Sequence, residues 1–255
     1  MTGNDSLAGR TAVVTGSGQN IGRAIALAFA ARGANVVVNG HRNVDALDAV
    51  AAEVRALGGR PLVAKADVGD PDAVAAMIAL ARKEFGGVDI AISNVGVRRH
   101  QPFLEIGIDD WHSTLNTNLN AAFYLARAVL PGMIERKWGR IIHISGRDGF
   151  FPKANRAHNV TCKAGLFALA KAIAVEFGPM GITANTIAPG VIETTRDPAH
   201  YPDFAAEHER RRQEMPVRRL GRSEDIAEAC LYLSSEAGGF VTGQVLHVNG
   251  GEFIG

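Results

Sequence analysis

Thr15-Gly16-Ser17-Gly18-Gln19-Asn20-Ile21-Gly22 is the stretch that decides the fold. It follows a short β-branched run at 11–15 (TAVVT) and opens an amphipathic helical pattern at 21–32. A glycine-rich turn between strand and helix gathers backbone N–H groups and the positive helix end at one point, an arrangement that binds a pyrophosphate. The strand–turn–helix context near the start of the chain sets it apart from a loop that only joins two elements.

Working outward, short apolar runs alternate with longer helical patterns. Strands are expected at 11–15, 35–39, 61–66, 88–93, 140–145, 182–187 and 244–248, and helices at 21–32, 44–57, 71–85, 110–137, 161–177 and 223–234. Most of the strand runs are apolar on both faces, as in a parallel sheet covered by helices on both sides. Asp70 before Pro71 reads as a helix start, and Gly33, Gly58 and Gly178 as helix ends. The expected fold class is α/β: one Rossmann-like domain over residues 1–255 with a doubly wound, seven-stranded parallel sheet. The charged, proline-containing segment 193–222 has weak periodicity and reads as a substrate lid.

Bulk composition is that of a soluble globular chain. Of 255 residues, 47% are apolar and 21% charged, enough for a sizeable core. The net charge of +1 gives no global argument for a nucleic-acid or membrane partner. Cys162 and Cys230 form neither a metal-binding spacing nor a disulfide framework, so no metal is expected. Residues 1–9 show no export signal, and no apolar run approaches the ~18–20 residues of a membrane span. A cytoplasmic location is the expectation.

With the glycine turn and this alternation in view, the chain resembles the classical short-chain dehydrogenase/reductase family, from Leu7 to about Gly251. Gly16, Gly18 and Gly22 stand in the family's turn, and Asn20 replaces its middle glycine. Asn tolerates positive φ better than other non-glycine residues, so the turn should survive. The resemblance implies that Ile21 lies on the dinucleotide and that Asp67-Val68 contacts the adenine. It places Asn94 and Gly96 of Ser93-Asn94-Val95-Gly96 at the cofactor. It also implies that Pro189, Gly190, Ile192 and Thr194 hold the nicotinamide end. Val241-Thr242-Gly243-Gln244 and Val248-Asn249-Gly250-Gly251 resemble the family's C-terminal signature.

The end of the second strand separates the two nicotinamide dinucleotides. An acid there would bond the ribose 2′-OH of NAD, whereas an Arg accommodates the 2′-phosphate of NADP. The run Val38-Asn39-Gly40-His41-Arg42-Asn43 has no acid and places His41 and Arg42 nearby, which favours NADP(H) over NAD(H).

The chemistry site departs from the family. The resemblance implies an Asn, Ser, Tyr and Lys acting together, and Asn118 and Lys163 match the first and last. Lys163 would also bond the nicotinamide ribose. Gly146 stands at the serine and Asn159 at the tyrosine, thirteen residues apart, a spacing the family commonly shows. Neither can protonate an alkoxide. Ser145 would reach the site only if the strand end bulges. His158, about 100° from Asn159 around a helix, is a candidate surrogate acid. Lys163, desolvated, could carry a lowered pKa and act itself. Two readings follow: an oxidoreductase with altered proton chemistry, or a dinucleotide-binding sensor or partner subunit without turnover.

Arg98, Arg99, His100, Arg147, Lys153, Arg156 and His158 fall in loops at the carboxyl ends of strands, opposed directly only by Asp148. Arg98, Gly146, Arg147 and Arg156 are therefore candidate substrate residues for a small, anionic carbonyl, imine, enone or alcohol compound. The resemblance also implies a homotetramer or homodimer packed through the helices at 110–137 and 161–177.

Overall fold

Seven parallel strands line up in the order β3-β2-β1-β4-β5-β6-β7. The computed structural model describes residues 6–195 and 204–254, excepting the side chains of 204–207. The strands are β1 (Thr11–Val14), β2 (Asn35–Gly40), β3 (Arg60–Lys65), β4 (Ile90–Ser93), β5 (Gly139–Ile144), β6 (Ile182–Pro189) and β7 (Val245–Val248). The expected sheet, its strand number and its parallel sense are all found.

Alternation along each strand feeds two cores. Ala12, Val14, Ile142 and Ile144 face one side, while Val13 and Ile141 face the other. The first core is closed by α1 (Asn20–Ala31), α2 (Val44–Ala56) and α8 (Ser223–Ser234). The second is closed by α3 (Pro71–Phe85), α5 (Ala121–Arg136) and α6 (Ala157–Phe177). Each fully buried Val, Ile or Phe side chain contributes roughly 1.5–3 kcal/mol, and the central strands consist almost entirely of such residues. The strand order reverses between β1 and β4, where a doubly wound sheet opens a crevice at its carboxyl edge.

The helix expected at 110–137 is interrupted. It is divided into α4 (Ile108–Leu115), a π turn at Asn116–Asn120, and α5. A π turn inserts a residue into the helical ladder and re-aims a side chain, frequently at functional sites. Here it turns Asn118 inward. The helix expected from 161 begins at Ala157, so residues 158 and 159 are already helical. Within the segment 193–222, Phe204–Glu214 forms α7. Gly33 and Gly58 follow α1 and α2 at positive φ, as expected. Gly178 is right-handed, and the left-handed stop comes at Gly181 (φ 79°). No described helix is long and apolar enough to cross a membrane.

Candidate functional site

The glycine turn is built from both neighbouring strands. Thr15 Oγ1 accepts from the Asn94 backbone N–H at 2.9 Å. Asn94 Nδ2 donates to the Thr15 and Gly16 carbonyls at 3.0 and 3.2 Å. Asn39, fully buried at the end of β2, accepts weakly from Gly16 N at 3.4 Å and donates to the carbonyls of Ala64 and Ala66. A Cβ on Gly22 would overlap the Gly16 carbonyl, so only glycine lets α1 start this close to the turn. Asn20 takes φ 49°, the positive value expected of it.

The start of α1 has no side-chain cap and no acid in its first turn, whereas α2 and α3 are capped by Asn43 and Asp70. Its first N–H groups lack helical partners, so a pyrophosphate fits there on electrostatic and hydrogen-bonding grounds. At the outer end of β2, His41 and Arg42 are exposed, and His41 Nδ1 lies 3.4 Å from Asp67 Oδ2. The Asp67 carboxylate also accepts from Gly69 N at 2.9 Å. The Val68 side chain is buried in the second core, which leaves its backbone as the part able to meet a base.

A cavity of about 590 Å³ continues from this turn along the carboxyl edge of β4, β5 and β6. Ile21, Asn94, Gly96, Pro189, Gly190, Ile192 and Thr194 line it, as do Gly146, Asn159 and Lys163. Gly190 must be glycine because a Cβ there would lie 2.8 Å from the Asn249 backbone. A Cβ on Gly96 would lie 3.4 Å from Asn118 Oδ1 and 3.6 Å from Lys163 Nζ, which places both side chains around one point.

Asn118 is buried and clamps Val97, accepting from its N–H at 2.6 Å and donating to its carbonyl at 2.8 Å. Lys163 Nζ donates to the Ile144 carbonyl at 3.1 Å. Burial, followed by the positive charge of Arg98, pushes the Lys163 pKa down to about 8. Ser145 follows the last residue of β5 and does reach the cavity wall, but its hydroxyl donates to the Lys163 carbonyl at 3.0 Å. It thereby joins β5 to α6.

Asn159 turns away from the role its position suggests. Its Nδ2 donates to Asp148 Oδ2 at 2.7 Å, and Arg156 Nη1 reaches both Asp148 oxygens at 3.1 and 3.2 Å. Gly146 is extended, and a Cβ there would meet nothing within 4 Å, so the cavity is open beside it. His158, the candidate surrogate acid, does not line the cavity. It is fully buried outside the cavity lining, and its Nδ1 accepts from Asn159 N. The early start of α6 rotates it into the protein interior.

The basic rim is real but more fully paired than its spacing suggested. Arg98, His100, Arg147, Lys153 and Arg156 all line the cavity, joined by His208 and Arg211 from α7. Arg99 instead pairs with Asp110. Arg147 Nη1 lies 2.6 Å from Glu252 Oε1, and Arg211 lies 3.4 Å from the same oxygen. Glu252 arrives from the far end of the chain, held by Phe253 packing against Phe150 and Phe151 at 5.6 and 4.8 Å. No local pattern announces that contact. The His100 pKa is lowered by burial and then by Arg156 and Arg98, consistent with a positive cavity. Cys162 and Cys230 are buried thiols whose pKa values burial raises, the former to about 11, so neither is a nucleophile at neutral pH. Among the described residues, no group of His, Cys, Asp and Glu is arranged to hold a metal ion.

This fold and turn define a Rossmann-type domain, and comparison with known proteins narrows the class. The family model described as enoyl-(acyl carrier protein) reductase matches residues 16–252. The 3-oxoacyl-[acyl-carrier-protein] reductase FabG of Salmonella typhimurium is 35% identical over 254 residues, covering 98% of this chain and 99% of that protein. Nodulation protein G of Azospirillum brasilense is 37% identical over 242 residues, covering 95% and 97%. A crystal structure from Sinorhizobium meliloti, assigned as a short-chain alcohol dehydrogenase, superposes with a TM-score of 0.91 at 31% identity, covering 97% and 98% of the two chains. The chain belongs to the short-chain dehydrogenase/reductase family, whose members are oxidoreductases that use a nicotinamide cofactor.

Proposed function

We propose that this protein is an NADP(H)-dependent oxidoreductase for a small anionic carbonyl, imine or activated-alkene substrate, or the corresponding alcohol, in which Lys163 exchanges the proton. When bound, the dinucleotide supplies or accepts hydride at the end of the cavity near Pro189, Gly190, Ile192 and Thr194. The turn backbone at Gly16, Gly18, Asn20, Ile21 and Gly22 holds its pyrophosphate. Asp67 and the Val68 backbone meet its adenine, and Asn94 and Gly96 its central portion. His41 and Arg42 meet the 2′-phosphate: β2 itself ends without an acid, and the Asp67 carboxylate beside it faces His41.

One observation carries the proton assignment: the ammonium of Lys163 lines the cavity with a pKa near 8. A general acid works best with a pKa near the working pH, and a buried lysine is a known way to reach one. In reduction, an N–H bond of Lys163 breaks as the substrate oxygen or nitrogen takes the proton, and solvent restores it. Asn118 positions the loop at Val97 that faces Lys163. Arg98, Arg147 and Arg156 hold the substrate's anionic group, with α7 covering the mouth as part of the lid expected at 193–222, of which 196–203 lie outside the described residues.

The exposed Leu104, Ile108, Phe123 and Val175 on and beside α4, α5 and α6 support assembly into a homodimer or homotetramer through these helices. Calorimetric titration with NADPH and NADH, followed by an overnight NADPH-consumption screen across small oxo acids, imines and enones, tests the reading. Tight NADPH binding with turnover of an anionic member supports it. Binding without any consumption would instead make the protein a dinucleotide sensor or partner subunit.

A further inference from the structure

Asn20 is the one non-glycine residue the glycine turn holds at positive φ, and its side chain has partners that a glycine could not make. Its Oδ1 accepts from the Thr195 backbone N–H at 2.9 Å, and its Nδ2 donates to the Thr195 carbonyl at 3.3 Å. The reciprocal pair fixes which way the amide points. It joins residues 175 apart in sequence.

Thr195 directly follows Thr194, the residue read above as holding the nicotinamide end. On the other side of Thr194 the backbone is laced to Gly221. Glu193 N donates to the Gly221 carbonyl at 2.8 Å, and Gly221 N donates to the Val191 carbonyl at 3.0 Å. Thr194 is therefore bracketed, by a strand-like bridge before it and by the Asn20 amide after it. With glycine at position 20, the second bracket would be absent.

We infer that Asn20 is, through its side chain, a positioning residue for the nicotinamide half of the coenzyme, acting on Thr195 and Thr194, while only its backbone belongs to the pyrophosphate turn. The inference rests on the dinucleotide reading given above. The amide sets the nicotinamide loop before the coenzyme arrives, so ordering that loop is not left to the binding step.

Asn20→Gly tests this without endangering the fold, because glycine adopts φ near +50° more readily than asparagine. Stopped-flow and equilibrium titrations would compare NADPH with 2′-phospho-ADP-ribose, which has the pyrophosphate and adenine half but no nicotinamide. The expected result is a Kd for NADPH raised roughly five- to tenfold, mostly through faster dissociation, as two modest hydrogen bonds would give. The Kd for 2′-phospho-ADP-ribose should stay within about twofold. Equal weakening of both ligands, or no change in either, would overturn the inference while leaving the dinucleotide reading intact. If the wild-type protein binds neither ligand, the dinucleotide reading fails first and takes this one with it.

Discussion

The Asn159 amide donates to the Asp148 carboxylate at 2.7 Å, which commits its side chain to a buried acid. Arg156 completes the set from the other side. A carboxylate nearly removed from solvent needs such donors, because stripping one leaves a desolvated charge underbonded. Asn159→Ala is accordingly expected to destabilise the protein by about 1–3 kcal/mol. Asn159→Asp should be worse, since it faces two carboxylates toward each other. Urea unfolding at pH 7 measures both.

Gly146→Ser should behave oppositely. Its Cβ would meet nothing within 4 Å, so stability should change by less than about 0.5 kcal/mol. Thermal unfolding of the single variant checks this. A large loss would mean that the cavity is filled at that point.

Lys163 sets a pH dependence of stability. Its folded pKa of about 8 lies below the ordinary lysine value of 10.5, so protonation favours the unfolded chain. That penalty is fully present below pH 8 and is relieved as pH rises from about 8 to 10.5. Lys163→Met should therefore melt at a higher temperature than wild type at pH 7, with the gap closing across that window. Scanning calorimetry from pH 6 to 10.5 reads it directly; a gap that widens with pH would contradict the sign.

The two cavity arginines should separate in their effects. Arg147→Ala removes a 2.6 Å partner of Glu252 and should lower stability by about 1–3 kcal/mol, because that carboxylate is largely buried. Arg98 is exposed, so Arg98→Ala should cost less stability than Arg147→Ala while raising KM for an anionic substrate about tenfold. Chemical unfolding and steady-state kinetics on both variants distinguish these outcomes.

Coenzyme choice gives a further test. Arg42 is exposed beyond β2, so Arg42→Ala should weaken NADPH about tenfold and leave NADH almost unchanged. Fluorescence titration of both coenzymes measures this.

The sheet was legible because its strands are apolar on both faces, and the turn because glycine spacing has a direct backbone consequence. The π turn at Asn116–Asn120 was not, since Asn-Thr-Asn-Leu-Asn reads as ordinary helix until packing demands that Asn118 reach Val97. Gly146, Asn159 and Lys163, grouped by their spacing, do line one cavity. What Asn159 bonds, and that His158 is buried, depended on where α6 begins, a boundary that local sequence marks poorly. Glu252 escaped notice because it meets Arg147 across 105 residues of sequence, through an aromatic cluster with no periodic signature.

The most direct measurement is single-turnover NADPH oxidation with acetoacetate and the other small oxo acids, imines and enones of the screen, followed from pH 6 to 10 for wild type and Lys163→Arg. The expected result is a reduction rate that falls about tenfold per pH unit above pH 8 in the wild type, and a loss of about 10²–10⁴-fold in the arginine variant, whose guanidinium stays protonated. A wild-type rate flat across that range, a fully active Lys163→Arg, or bound NADPH that no compound oxidises would contradict Lys163 as the proton donor.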